Sequence, residues 1–137
     1  MIRNIKKVEI IEVQHLSTVK ALPGLREVYV PYYIPCEEIP IVGLASLNIS
    51  DSVGDGIRTY TSKLTATIVK RLTHCSEVRA LRLTDVQGRR YLMGGADRPY
   101  PLFLQEDKYA DRPGEVSACS LTVTLQGPFP AMEIIKD

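Results

Sequence analysis

The fold class of this 137-residue chain is indicated most clearly by one stretch, Ile57-Arg58-Thr59-Tyr60-Thr61-Ser62-Lys63-Leu64-Thr65-Ala66-Thr67-Ile68-Val69-Lys70-Arg71-Leu72. Apolar and polar residues alternate along it with a period of two, as in a β-strand that buries one face. We predict that the following side chains face the core: Tyr60, Leu64, Ala66, Ile68 and Leu72. The opposite face is rich in threonine, a β-branched but polar residue that suits a solvated strand surface.

A β-hairpin is predicted directly after this strand, over residues 78–93. Its turn is Asp85-Val86-Gln87-Gly88. Aspartate favours the first position of a type I turn, and Gly88 tolerates the positive φ that closes such a turn.

The same period of two recurs in the rest of the chain. Further strands are predicted over residues 8–13, 25–34, 41–49 and 116–126, and a short strand or an extended arm over residues 100–105. In the first of them the alternation slips between Ile10 and Ile11, which indicates a bulge or a strand that is covered on both faces. A helix over residues 9–21 is the alternative. Pro31 cannot donate a ladder hydrogen bond, so we expect the second strand to lie at a sheet edge.

The segments between these strands are predicted to be loops. Residues 35–40 are expected to connect two strands, and the glycine-rich residues 51–56 to form a flexible, exposed hairpin loop. A long arm is expected over residues 96–114, with a polar loop from residue 106 onward. Residues 131–137 form a short tail that can add an edge strand.

These elements predict a mainly β protein with one domain over residues 1–137. About seven short strands with turn signals between them, and no convincing amphipathic helix, favour an antiparallel β-sandwich or a partly closed barrel with long loops. Hydrophobic residues make up 45% of the chain and charged residues 24%, as in ordinary globular proteins.

Composition also limits the function. The net charge of +1, from 17 basic and 16 acidic residues, argues against a strongly basic nucleic-acid binder. Cys36, Cys75 and Cys119 form no CxxC pair, which favours buried thiols in a reducing compartment. No apolar run approaches the roughly 20 residues that cross a bilayer. We therefore expect a cytoplasmic protein with no membrane partner.

No pattern of residues predicts catalysis. His74 and Cys75 are the only adjacent pair that suggests a nucleophile or a metal ligand, and no motif supplies the base, the orienting group and the oxyanion donors. A zinc site would have to recruit His15 and the distant Cys36 or Cys119. We therefore predict no catalytic residue, cofactor or metal, and keep a hydrolase that uses His74 and Cys75 as a residual alternative.

Positive charge is concentrated in the predicted hairpin. The possible basic surface consists of Arg79, Arg82, Arg89 and Arg90. Together with an exposed tyrosine such as Tyr91, these side chains could bind single-stranded nucleic acid, which is held by basic faces that carry aromatic rings. A small binding module for single-stranded nucleic acid or a peptide is therefore the alternative function. The nearly balanced charge disfavours the nucleic-acid version.

The sequence of the same hairpin resembles that of a known group of proteins. Residues 85–94 follow the pattern D-x-x-G-x-x-Y-L-x-G, and the proline-flanked Arg98-Pro99-Tyr100-Pro101 comes after them. This arrangement resembles small tail or head–tail joining proteins encoded in prophage-like clusters. The resemblance implies a compact β domain that acts by assembly and not by chemistry, with itself or other phage structural proteins as partners. It also implies assembly into a virion-like particle, and it transfers no functional residue.

We therefore predict a non-enzymatic structural protein of a phage or prophage particle that forms homo-oligomers. Exposed strand edges can pair with neighbouring subunits, and a head-to-tail contact that closes gives a ring. The subunit contacts are expected in the loops on either side of the central strands. The candidate residues are Asp51, Val53, Asp55, Asp97, Tyr100 and Tyr109.

Overall fold

The computed structural model describes residues 2–11, 20–21, 27–29, 36–69, 78–95, 100–108, 118–127 and 130–134. These residues contain 11 β-strands and no helix, which confirms the mainly β prediction. The strands are β1 (Ile2–Ile11), β2 (Lys20–Ala21), β3 (Glu27–Tyr29), β4 (Cys36–Ile39), β5 (Ala45–Gly54), β6 (Ile57–Ile68), β7 (Ala80–Asp85), β8 (Arg90–Gly94), β9 (Leu102–Lys108), β10 (Ala118–Gly127) and β11 (Met132–Ile134).

All the strands belong to one sheet. Its order is β2-β3-β11-β8-β7-β1-β5-β6-β10-β9, and β4 pairs with β1 outside this path. Neighbouring strands are antiparallel except β3 and β11, which run parallel. Within the described ranges, the end strands β2 and β9 do not pair with each other, so the sheet is not closed into a barrel.

Strand β6 contributes a central part of the hydrophobic core, as the alternation of its residues predicts. It pairs with β5 along one edge and with β10 along the other. Leu64, Ala66 and Ile68 are buried, whereas Thr65 and Thr67 are exposed. On β10 the inward residues are likewise apolar and buried: Cys119, Leu121, Val123 and Leu125. The two strands therefore present one continuous apolar surface.

The sheet curls so that its two halves face each other. One hydrophobic cluster contains residues of β6 and β10 together with residues of β7 and β8, which lie on the other side of β1. The Ala131 N–H, just before β11, donates a hydrogen bond of 2.9 Å to Ser62 Oγ on β6. Four strands separate β11 from β6 in the sheet order, so this contact spans the interior between the two halves.

Strand β1 lies at the bend and is covered on both faces. Val8 belongs to the main cluster, whereas Ile11 packs in a second cluster with Ala80, Leu92 and Ile134. This confirms the second of the two interpretations of the alternation slip. The register shift against β7 lies earlier in the strand, between Ile5 and Lys7. Strand β1 also begins at Ile2, well before the predicted start.

In residues 35–49 the predicted connection was wrong, and the predicted strand begins later than expected. The expected connection contains strand β4, because Ile39 is buried against the core while Glu37 and Glu38 stay exposed. The expected buried strand over residues 41–49 begins only at Ala45. Gly43 has a φ of 70°, which breaks an extended strand.

The predicted exposed hairpin at residues 51–56 is present, but its loop is shorter than expected. Strand β5 continues to Gly54 and β6 begins at Ile57, so the connection is the two-residue turn Asp55-Gly56. The φ angles of Asp55 and Gly56 are 52° and 76°, as in the type I′ turns that suit the twist of a hairpin.

The outer strands also differ from the predictions. Strand β3 has neighbours on both sides, so its described residues do not form an edge. The tail strand β11 is likewise internal, between β3 and β8. Strand β9 continues to Lys108 through residues that were expected to begin a loop.

Candidate functional site at the open end of the sheet

The β5–β6 hairpin extends beyond its neighbours. Strand β1 pairs with β5 only as far as Asn48, and β10 pairs with β6 only as far as Tyr60. In the described part of the chain, residues 51–59 therefore pair only within the β5–β6 hairpin itself, and we call them the projecting hairpin. Val53 is 64% exposed and Ile57 is 67% exposed. A two-stranded ribbon on its own is only marginally stable in water, and packing against another surface would stabilise it further.

Three predicted contact residues lie on this hairpin. Asp55 occupies its turn, Val53 lies in the arm that leads to the turn, and Asp51 lies at its base. Asp51 Oδ2 is 3.6 Å from Arg58 Nε, with both side chains half exposed. Ion pairs this exposed contribute little to stability. The hairpin is therefore held mainly by its ladder and its turn.

The other predicted contact residues are not all described. Tyr100 lies beside Arg79, whose Cζ is 4.9 Å from the centre of the tyrosine ring. This cation–π contact joins a predicted contact residue to a residue of the predicted basic surface. Outside the described residues lie Asp97, Tyr109, Arg98, His15, His74 and Cys75.

Arg82 belongs to a buried ion pair rather than to an open basic surface. Its Nε and Nη2 donate to Glu9 Oε1 and Oε2 at 3.1 and 2.9 Å, and both side chains are nearly buried. Burial lowers the pKa of Arg82, but the hydrogen bond to Glu9 and the neighbouring negative charge outweigh it, so the pKa is raised. Arg89 and Arg79 are exposed, and Arg90 is half-buried.

Tyr91, which we expected to be exposed, is buried. It pairs with Leu83 in the register of the β7–β8 hairpin, and both side chains face the core. Its hydroxyl donates to Asp85 Oδ2 at 3.3 Å, while Asp85 Oδ1 accepts the N–H groups of Gln87 and Arg89 at 2.9 and 2.8 Å. Burial raises the pKa of Tyr91. The predicted turn is present, and its aspartate anchors a core tyrosine.

A cleft of about 380 Å³ lies at the base of the projecting hairpin. One wall contains Ile49 and Tyr60 of the hairpin base, and the other contains Tyr91 and Glu133 of β8 and β11. Arg3 of β1 also lines the cleft, and its Nε is buried without a hydrogen-bond partner.

Sequence reasoning missed this cleft. Arg3 is two residues before the buried Ile5, so alternation alone would have placed it on the core side had β1 been predicted to begin at Ile2. Glu133 offered no comparable signal, because its strand depends on contacts with distant parts of the chain.

No protein-family model, no curated protein and no solved structure matches this chain. Among the described residues, no helix is long and apolar enough to cross a membrane. The same part of the chain holds no group of three or more His, Cys, Asp or Glu residues that could bind a metal ion. The function of this chain therefore has to be inferred from its own geometry and from the resemblance of the hairpin at residues 85–94.

Proposed function

We propose that the protein is a non-enzymatic structural subunit of a phage or prophage particle, a tail or head–tail joining component that acts through contacts between copies of itself. One observation carries the proposal: large apolar side chains are exposed on the projecting hairpin and on strand β9. Both elements lack a strand partner on one side within the described structure.

Strand β9 supports an interface between subunits. Among the described residues it is the last strand of the sheet and pairs only with β10, so its other side is a sheet edge within the described structure. Leu102 is 73% exposed and Leu104 is 66% exposed. Monomeric proteins usually protect such an edge, because an open strand with apolar side chains pairs with other chains.

The surface beside this edge is suited to a broad contact. Leu104 is the register partner of Thr122 on β10, which in turn pairs with Thr65 on β6. The exposed leucines therefore border the threonine-rich outer face of the sheet. A partner that covers the edge can also cover this face, with a hydrophobic centre and a polar rim as in known interfaces.

The projecting hairpin supports a second contact. Val53 is the register partner of Arg58 and Ile57 that of Gly54, so the two apolar side chains lie on opposite faces of the ribbon. A hairpin that reaches a neighbouring subunit buries these side chains without disturbing the core. Two different surfaces on one subunit allow head-to-tail contacts, which close into rings or continue as tubes.

The setting in a phage or prophage particle comes from the hairpin pattern at residues 85–94. In this chain Asp85 of that pattern organises the turn, and the tyrosine of the pattern packs in the core. The pattern therefore acts as scaffold, which agrees with a protein that works by assembly.

Light scattering coupled to size exclusion tests the proposal. We expect the wild-type protein to associate as its concentration rises and to form rings or tubes in electron micrographs. The double variant Leu102→Lys/Leu104→Lys should remain monomeric, since it places charge on the edge of β9. Val53→Lys/Ile57→Lys should separately shorten or abolish the larger assemblies.

Val86→Lys is the matched control. Val86 is also an exposed apolar residue, but it lies on the β7–β8 turn and belongs neither to the projecting hairpin nor to β9. This variant should assemble like the wild type. A wild-type protein that stays monomeric at its highest soluble concentration, with no particle in micrographs, would overturn the proposal.

The alternative binding module has less support. Arg82 is already paired with Glu9, and Tyr91 is buried, so the basic surface loses an arginine and the aromatic ring that would hold single-stranded nucleic acid. Titration with labelled single-stranded DNA at low and high salt should show no salt-dependent binding.

A further inference from the structure

The side of the sheet that faces away from the core is almost uncharged. On β5, β6 and β10 it consists of thirteen described residues, which we call the outer face: the even-numbered residues of 46–52 and 120–126 and the odd-numbered residues of 59–67. None of them is buried, and Lys63 is the one charged residue among the thirteen. Charged residues make up 24% of the chain, and a shortage of charge is typical of the centre of a protein interface rather than of a solvated surface.

The projecting hairpin extends the outer face with an apolar and uncharged surface. Ile57 lies on the same side of the ribbon as Thr59, because two residues along a strand share a side. Val53 lies on the opposite side, together with the ion pair between Asp51 and Arg58. A partner that packs against Ile57 therefore leaves this ion pair in water, whereas a partner that packs against Val53 would remove it from water at a cost.

A second group of exposed apolar residues lies at the other end of the outer face. Val42, Leu44 and Val69 are each more than half exposed, and we call them the end patch. Val69 follows the odd-numbered residues of β6, and Leu44 precedes the inward-facing Ala45, so both are on the side of the outer face. The Val42 N–H donates to the Thr67 C=O at 2.7 Å, which holds Val42 beside the end of β6. The outer face thus has apolar side chains at both ends.

The two ends can cover each other only between two copies of the chain. Ten residues of β5 separate Gly54, the register partner of Ile57, from Leu44, so a hairpin tip is about 33 Å from its own end patch. Since both ends are on one side of the sheet, two copies must turn their outer faces together, and a two-fold axis then forms both contacts at once. Contact between two hairpin tips would instead bring the Asp55 carboxylates together and leave both end patches exposed.

The outer face is large enough for a stable pair. From β1 to β9 it measures roughly 20 Å across the strands and 35 Å along them, close to the ~800 Å² that each partner buries in an interface of standard size. Exposed Ile2, Leu102 and Leu104 border it on β1 and β9. Sheets pack face to face with their strands nearly aligned, and the methyl groups of the threonines can make the contact.

We propose that two copies of this chain pack their outer faces together about a two-fold axis, so that Ile57 of each copy covers the end patch of the other. The result is a closed dimer in which the two sheets form a sandwich. This inference rests on the proposed self-association and names its first step. Larger rings or tubes then grow from dimers through the edges of β9.

The position of Lys63 gives the dimer a specific signature. When the hairpin tip covers Leu44, the two-fold axis lies near Ser62, halfway along β6. Each Lys63 then lies opposite Thr61 of the other copy, where its charge loses water without gaining a carboxylate. Removal of this charge should therefore strengthen the dimer.

Disulfide cross-linking tests the contact. In a chain whose Cys36 and Cys75 are replaced by serine, the double variant Ile57→Cys/Leu44→Cys should oxidise to a covalent dimer on denaturing gels, held by two disulfides. The two positions are too far apart to bridge within one chain, so each disulfide joins two copies. A head-to-tail contact would instead give a ladder of trimers and longer chains.

Two further cysteine variants are matched controls. Val53→Cys/Leu44→Cys places the thiol on the charged side of the hairpin, and Val86→Cys/Leu44→Cys places it on the β7–β8 turn. Neither should give the covalent dimer in comparable yield.

Dissociation constants from analytical ultracentrifugation provide a second test that needs no cysteine. Lys63→Thr should tighten the dimer, and Thr65→Glu should weaken it at least about tenfold because it places a carboxylate in the middle of the outer face. Gln87→Glu makes the same change of charge on the exposed β7–β8 turn and should leave the dissociation constant unchanged. Thermal unfolding verifies that each variant is folded.

The outcomes separate this inference from the proposed function. A wild-type protein that associates while Ile57→Cys/Leu44→Cys forms no disulfide dimer contradicts the two-fold contact and leaves the proposed self-assembly standing. A ladder of longer chains, equal cross-linking of the Val53→Cys control, or a weaker dimer in folded Lys63→Thr also contradicts it. A protein that never associates contradicts both.

Discussion

The ion pair between Glu9 and Arg82 is the least exposed of the charged contacts in the described chain, with side-chain exposures of 9% and 13%. Removing both charges from water costs free energy, and only good geometry offsets that cost. Here two parallel hydrogen bonds join the groups. The pair therefore contributes little net stability, but each residue depends on the other.

Glu9→Ala should destabilise the fold by about 3 kcal/mol, because it leaves the Arg82 charge nearly buried without a partner. The double variant Glu9→Leu/Arg82→Met should recover most of that loss, since two apolar side chains need no partner. Urea denaturation of the single and double variants measures both effects. Losses that simply add would contradict the coupling.

The raised pKa of Tyr91 predicts that the stability of the fold depends on pH above the neutral range. Burial raises its pKa in the folded protein above the ordinary value of 10.0. The folded state therefore holds the phenol proton more tightly than the unfolded state does. The resulting stabilisation is complete below pH 10.0 and is lost as the pH rises through the pKa of the folded protein.

Tyr91→Phe should therefore show a shallower loss of stability above pH 10.0 than the wild type, although it is less stable at neutral pH without its hydrogen bond to Asp85. Denaturation midpoints measured across the alkaline range provide the comparison. Parallel curves for the two proteins would show that Tyr91 does not titrate as its burial requires.

Two elements of the sheet show which local sequence signals were sufficient for a correct prediction. The β7–β8 hairpin was predicted because its turn chemistry is local: Asp85 accepts the turn N–H groups, and Gly88 has a φ of 89°. Strand β4 was missed because its short sequence has no such signal, and it exists only through pairing with β1.

Substitutions of two glycines distinguish the free-energy cost of backbone strain from that of steric crowding. Gly88 and Gly94 both have positive φ, but a Cβ on Gly88 meets open space, whereas one on Gly94 would clash with the Arg79 carbonyl and touch Pro101 at 3.0 Å. Gly88→Ala should cost about 1 kcal/mol from strain alone.

Gly94→Ala should cost at least about 2 kcal/mol more than Gly88→Ala, because the Arg79 backbone has to shift. Chemical denaturation of both variants measures the difference. Equal losses would mean that the Arg79 segment yields freely, contrary to the contact between Arg79 and Tyr100.

At the scale of the whole molecule, the curl of the sheet depends on contacts between its halves. The hydrogen bond from Ala131 N–H to Ser62 Oγ is fully inside the molecule, since Ser62 has no exposure. Its loss would leave a buried N–H without an acceptor.

Ser62→Ala should destabilise the fold by about 1–3 kcal/mol and speed hydrogen exchange of the Ala131 amide. Ser46→Ala is the control: this serine lies on the outer face of β5, half-buried, and its loss should change stability by less than about 0.5 kcal/mol. If Ala131 exchanges at the same rate in Ser62→Ala, the halves are held by apolar packing alone.

The amino-acid sequence alone was enough to assign the buried side of β6 and β10 and the place where the β7–β8 hairpin turns, because a period of two and a turn aspartate act over a few residues. The pairing of Arg82 with Glu9, the burial of Tyr91 and the place of Arg3 in the lining of a cleft could be known only from the three-dimensional structure. Those outcomes depend on strand order and on the curl of the sheet, which bring together residues as distant as Glu9 and Arg82. Local periodicity specifies the face of a strand but not the strand that will lie opposite it.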